Sequence, residues 1–197
     1  LAWGTNMDED MIISLVKAAS IAPSDRLSRR FLAKAGEWLD SLDGDEDFGL
    51  DKWKFYAAVL AKAGSRRSGS QNEAIARLTK SIEFADSIPA SSPYSPEGKY
   101  LAALAAKELF YFDARTEVRE EAIDRLIRVV QEEKNVRALY YLAGELTGGV
   151  HNLEAAQYAH MVKTVIKRDL QFGAEKNQFY RWTDGLFSGY LPQESIV

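Results

Sequence analysis

Apolar residues recur along the chain three and four positions apart, and sustained apolar–polar alternation is absent. That period belongs to amphipathic helices, not strands. Nine helices are predicted. The first spans about 8–21, with Met11, Ile12, Leu15 and Val16 on one side and Pro23 just beyond it. The second spans about 25–42 on Leu27, Phe31, Ala35, Trp38, Leu39 and Leu42, and the acidic loop 43–49 ends it. The third, about 51–64, reads DKWKFYAAVLAKAG and closes at Gly64. After the polar break SRRSGS, Ser70 and Glu73 have the spacing of a capping box, followed by a helical stripe of Ile75, Leu78, Ile82 and Ala85. IPASSPYSPEG is the longest linker, and Ser95–Pro96 reads as the cap and first-turn proline of a fifth helix over about 96–112. The sixth, about 117–133, carries Ala122, Ile123, Leu126, Ile127 and Val130. The seventh and eighth flank ELTGGVHNLEAAQY (145–158), and a ninth covers about 172–187. The expected fold class is all-α.

Internal similarity sharpens that expectation. NEAIARLTKSIEFA from Asn72, EEAIDRLIRVVQEE from Glu120 and LEAAQYAHMVKTVI from Leu153 each open a helix on a Glu-Ala step. Upstream of each lies a second amphipathic segment: WKFYAAVLAKAG, KYLAALAAKELFYF and VRALYYLAGEL. The unit is therefore helix A, turn, helix B, and such pairs bury both faces only by stacking. The anchors Ala74, Ala122 and Ala155 lie 48 and then 33 residues apart. The Pro/Ser linker is expected to absorb the excess in the longer interval.

This pattern resembles the tetratricopeptide-like class of helical repeats. Around Val136–Arg168 the resembling positions are Leu139, Leu142, Ala143 and Leu146 on helix A, then Ala155, Ala159 and Val162 on helix B. The turn Gly148–Gly149–Val150, with Ala138, Ala143 and Ala155, is similar to the Sel1-like variant, although the glycines are adjacent and Asn152 stands where an acidic residue is common. The resemblance implies a right-handed stack of antiparallel helix pairs, a TPR-like α-α superhelix, over about residues 50–168. Residues 1–48 and 170–197 would flank it within one domain spanning 1–197. Gly148 or Gly149 fits a left-handed helix cap and Asn152 a following N-cap, so this segment reads as a turn before it reads as a site.

Composition changes the picture little. The 197 residues are 46% hydrophobic and 27% charged, with a formal net charge of -4. Residues 1–51 hold eleven Asp/Glu against five Lys/Arg, and the remainder holds eighteen against twenty. The overall sign disfavours nucleic acid as a partner. The absence of Cys excludes disulfides, thiolate metal sites and Cys nucleophiles. No apolar run is long enough to span a membrane. A chain starting at Leu1 reads as processed or trimmed, which allows either a cytoplasmic location or export, including anchoring through a removed amino-terminal segment.

Candidate chemistry is sparse. His151 and His160 are nine residues apart, not the three or four of a helical metal pair. Asp43-Gly-Asp45-Glu-Asp47 lacks the Gly and Glu positions of a calcium loop, because Phe48 and Lys54 stand there. Arg29–Arg30 and Arg66–Arg67 read as solvated charge, and Glu108, Asp113, Glu117 and Glu121 as exposed helix faces. No phosphate loop, nucleophile elbow or dinucleotide fingerprint occurs. No cofactor, metal or catalytic residue is assigned, and the chain is expected not to be an enzyme. The expected role is a protein- or peptide-binding scaffold or adaptor. Its contacts would come from Tyr56, Tyr100, Tyr140 and Tyr141 on A helices and from Tyr180 and Trp182 in the aromatic carboxy-terminal stretch. The alternatives are a carrier of a small or lipid-like molecule, such as an accessory subunit of a transport system, or an enzyme with an inter-helical pocket. Tyr56, Tyr100, Tyr111, Tyr140 and Tyr141 are equally compatible with inter-repeat core.

Overall fold

The computed structural model describes residues 4–133 together with Ala138, Tyr141 and Leu142. Apart from those last three residues, the seventh, eighth and ninth expected helices and the third repeat unit lie outside the described residues, as do the segment ELTGGVHNLEAAQY and both histidines. All regular structure among the described residues is helical: α1 Gly4–Ile21, α2 Asp25–Asp40, α3 Leu50–Ser65, α4 Gln71–Asp86, α5 Ser95–Phe112 and α6 Thr116–Glu133. By contact density the chain divides into two compact units, Leu1–Ala122 and Ile123–Val197, and the packing below concerns the first.

Local chemistry sets most helix ends. Ser24 caps α2, its side chain accepting from the Leu27 amide at 3.3 Å. Ser70 caps α4 by accepting from the Glu73 amide at 3.2 Å. Glu73 reaches back to the Gly69 amide at 2.9 Å, one residue before the cap. The expected capping box is thus present with its return bond displaced by one residue. At α5 the expectation is corrected. Ser95 lies inside the helix and Tyr94 holds the cap position, its carbonyl accepting from Gly98 N–H at 2.8 Å. Between α2 and α3, Gly44 and Gly49 have φ of 80° and 82°, a backbone region where a Cβ is strained. The Asp45 side chain accepts from the Asp47 and Phe48 amides, which turns the acidic loop and sends Phe48 inward.

Connections within pairs are short: residues 22–24, 66–70 and 113–115. Those between pairs, 41–49 and 87–94, are longer. Short connections oblige consecutive helices to run antiparallel. Within the first unit α1 packs on α2, α2 on α3, α3 on α4 and α4 on α5. In addition α1 touches α3 and α3 touches α5. The odd-numbered helices therefore lie side by side, with α2 and α4 each seated on the two odd helices that flank it.

The even helices share one burial register. Ser28, Ala35 and Leu39 are buried on α2, with half-buried Leu32 completing steps of four, three and four. Ala74, Leu78, Ser81 and Ala85 repeat those steps on α4, and Ala122, Leu126 and Val129 begin them on α6. From 28 to 74 and from 74 to 122 the intervals are 46 and 48 residues. The Pro/Ser linker is therefore no exceptional insertion, because a connection of similar length precedes α3. Residues 1–48 contribute a helix pair of the same kind as those that follow.

Two buried clusters among the described residues join helices of the first unit. Ile12, Leu39, Leu42, Phe48, Tyr56 and Ala57 form the larger, flanked by Trp38, Trp53 and Phe55. Both indoles are satisfied: Trp38 Nε1 donates to Asp8 at 3.2 Å, and Trp53 Nε1 to the Leu39 carbonyl at 3.1 Å. The second core is built of small residues, Ala58, Ala85 and Ala102. With Ala103, Ala105 and Ala106 also buried, α5 presents mostly methyl groups and lets neighbouring backbones approach closely. Buried hydroxyls tie the pairs together, Ser28 Oγ donating to Ala19 O and Ser81 Oγ to Ala58 O, each at 2.8 Å.

Candidate functional site

The larger core is bulky at one end of the α1–α2–α3 arrangement and small at the other. Toward the carboxy-terminal ends of α1 and α3 the facing residues are Ala19, Ser20, Ser28 and Ala63. Small side chains leave space there, and a cleft of about 300 Å³ results. Its apolar wall is Val16 and Ala19 from α1, Leu32 from α2, Val59 and Ala63 from α3, and Leu101 from α5. Every charged residue in the wall is cationic: Lys62, Arg66 and Arg67.

Their counter-ions come from outside the wall. Glu108 of α5 accepts from Lys62 Nζ at 2.5 Å and also pairs with Arg66. Asp25, at the start of α2, pairs with Arg67 at 2.8 Å. Lys62 and Glu108 are largely enclosed, with side chains 12% and 18% exposed. Burial pushes the Lys62 pKa below its ordinary value, aided by the neighbouring cations Arg66 and Lys107, against the pull of Glu108. Burial alone would raise Glu108, but hydrogen bonds from Arg66 and Lys62 outweigh it and hold the carboxyl below the usual range. The Glu108 carboxyl is therefore ionised at neutral pH. Two hydroxyls in the wall donate to backbone, Ser20 to Lys17 O and Ser28 to Ala19 O, so the cations are its outward-facing donors of charge.

A second polar cluster ties α1, α3 and the α4–α5 connection together. Glu9 accepts from Lys52 Nζ at 3.0 Å and from Tyr94 OH at 3.1 Å. Burial first, and then the Glu9 carboxylate, raise the Tyr94 pKa. With its acceptor already matched to two donors, this cluster is a strut between helices.

The aromatic residues expected to meet a partner are dispersed. Tyr56 is 6% exposed and belongs to the core, its ring against Phe48 and Phe55. Burial, with the charges of Glu9, Tyr94 and Asp10, pushes its pKa up to about 12. It offers no ring to a partner. Tyr100 and Tyr141 are half-buried. Tyr140, Tyr180 and Trp182 lie outside the described residues. Neither Tyr56 nor Tyr100 lines the cleft.

Glu108 corrects the sequence reading. Expected on an exposed face with Asp113, Glu117 and Glu121, it is instead turned inward onto α3. Arg66–Arg67 is likewise more than solvated charge, since both residues line the cleft. A usable signal was the repeat interval, because Lys62 and Glu108 are 46 residues apart. Among the described residues no group of acidic or His side chains converges as a metal-ligand set, and no described helix is long and apolar enough to cross a membrane. Compared with protein-family models, with curated proteins and with solved structures, the chain matches none.

Proposed function

We propose that this chain is a non-enzymatic helical-repeat recognition module that takes up a protein or peptide partner on its stacked helix pairs, as a TPR-like superhelix does. The observation that carries the reading is the two-step contact pattern, α1 to α3 to α5, combined with a burial register that returns after 46 and 48 residues. Stacks of this kind present a continuous row of alternate helices, which suits extended partners. The period exceeds the roughly 34 residues of a tetratricopeptide unit, so the support lies in architecture and not in family signature. Of the tyrosines expected to meet a partner, Tyr100 and Tyr141 are half-buried, whereas Tyr56 is buried.

Peptide display on the purified chain tests this. A consistent apolar or aromatic consensus should be enriched on the wild type and lost on Tyr100→Ala and Tyr141→Ala proteins whose thermal melts are unchanged. Equal enrichment by all three proteins, or no consensus, would overturn the reading. The cleft favours a second reading, uptake of a small molecule, which has its own chemistry.

A further inference from the structure

Three features of the cleft point the same way. Its volume of about 300 Å³ lies at the lower end for small-molecule sites. At ~30 Å³ per water-sized group it holds roughly ten such groups. That is enough for a short aliphatic chain with a head group and too little for an extended peptide. Apart from the cations and the two serines that donate to backbone, the wall is apolar, from six side chains on four helices. The charge of the lining is one-sided: its charged residues are three cations, Lys62, Arg66 and Arg67, and the carboxylates Glu108 and Asp25 approach them from outside the wall. Lys107 lies near enough to depress the Lys62 pKa and adds to the positive field. A negatively charged head group on an apolar body complements this lining. Arg67 is best placed to change partners, because its counter-ion Asp25 is 65% exposed and weakly held.

We propose that the cleft between α1, α2 and α3 binds a small aliphatic monocarboxylate of about eight carbons, its chain against Val16, Leu32 and Val59 and its head group at Arg67 and Arg66. The occupant is a free small molecule, not the end of a polypeptide. The guanidinium groups supply planar paired donors that match a carboxylate. The site is independent of partner recognition on the helix stack, and its failure would leave the peptide enrichment untouched.

Titration calorimetry of the full chain with octanoate tests it. The expected result is saturable one-to-one binding with a dissociation constant of ~0.1–1 mM. Octan-1-ol should bind at least tenfold more weakly, and octylamine should not bind. Ala63→Leu fills the cleft and should abolish binding. Arg67→Gln should weaken it about fivefold, in line with loss of a partly exposed charge-assisted bond. Asp25→Asn releases Arg67 from its counter-ion and should strengthen binding, a gain that misfolding cannot produce. The proposal is overturned if octanoate gives no saturable heat, if octanol binds as tightly, if Ala63→Leu binds unchanged, or if Asp25→Asn weakens binding. It is equally overturned if a peptide ending in two apolar residues competes more tightly than octanoate.

Discussion

Replacing Glu108 by Gln removes the carboxylate that Lys62 and Arg66 share. The two cations respond differently. Arg66 is 67% exposed and can turn to water, whereas the Lys62 side chain is 12% exposed and cannot without moving the helix. In the variant Lys62 either stays charged beside Arg66 and Lys107 or gives up its proton. The second route sets a ceiling. From an ordinary pKa of 10.5, neutralising a lysine at pH 7 costs about 1.36 kcal/mol per unit, or about 5 kcal/mol in all. Breaking buried pairs costs ~3–5 kcal/mol, and the residual water access of Lys62 brings the expected loss to ~2–3 kcal/mol. Urea unfolding followed by circular dichroism at pH 7 measures this as a lower midpoint at unchanged slope.

That loss depends on pH through Lys62. The folded variant holds Lys62 further below its unfolded pKa, so its unfolded state binds more protons throughout the window between the two values. Stability of the variant therefore rises with pH across that window, and its deficit against the wild type should narrow markedly by pH 10. The double variant Lys62→Met/Glu108→Leu removes both enclosed charges of this contact, while Arg66 is 67% exposed, and should lie within ~1 kcal/mol of the wild type. A deficit under ~0.5 kcal/mol at pH 7, within the range of ordinary surface changes, would refute the argument. So would a deficit that stays the same at pH 10.

Other consequences are simpler. Glu108 is depressed in the folded state, so its contribution is present above its ordinary pKa of 4.5 and is lost as pH falls below it. The acid limb of an unfolding curve should accordingly be shallower in Glu108→Gln. Ser28→Ala and Ser81→Ala each delete a buried hydroxyl donating to a helix carbonyl. Each should cost ~1 kcal/mol in chemical denaturation, and the two should add, since they share no partner. At Gly98 a Cβ would meet Ile88 Cδ1 at 2.9 Å. Gly98→Ala should therefore gain little of the ~1 kcal/mol that alanine brings to a helix interior. On an Ile88→Val background, which removes that methyl, the same substitution should stabilise; equal effects in both backgrounds by thermal melting would refute the contact.

Helix existence was legible because apolar spacing and capping chemistry are local. Pro23, Ser24, Ser70 and Glu73 act within a few residues of where they stand. The α5 start was misplaced by one residue for the same local reason. Ser–Pro satisfies the cap pattern, but the Ser92 carbonyl accepts from Ser95 N–H and draws Ser95 into a turn already under way. Facing direction was harder. WKFYAA is apolar on adjacent positions, so spacing alone did not say whether Phe55 or Tyr56 turns inward. Phe48, delivered by the Asp45 turn, lies against the Tyr56 ring in that core. Glu108 failed on another ground. A single carboxylate on a helix has the same local pattern whether it faces water or a lysine on a neighbouring helix. Only the register decides, since a stack with a 46-residue period sets position 62 beside position 108.

That register also bears on the origin of the cleft. Cations near the end of α3 are expected on general grounds, because they complement the partial negative charge of the last carbonyls. The dipole accounts for their presence at Lys62, Arg66 and Arg67, but not for the space in front of them. The space comes from a size gradient along the same three helices, from Ile12, Leu39 and Tyr56 in the core to Ala19, Ser28 and Ala63 in the cleft wall. A purely structural end of the bundle could be closed by one larger side chain at position 63 on α3. If Ala63→Leu raises stability, as cavity filling does in a void without strain, while abolishing octanoate uptake, then the alanine is retained at a cost in stability, as expected of a residue that keeps a binding space open. If it destabilises the fold, the wall is already packed to its limit and the space is a by-product of helix divergence.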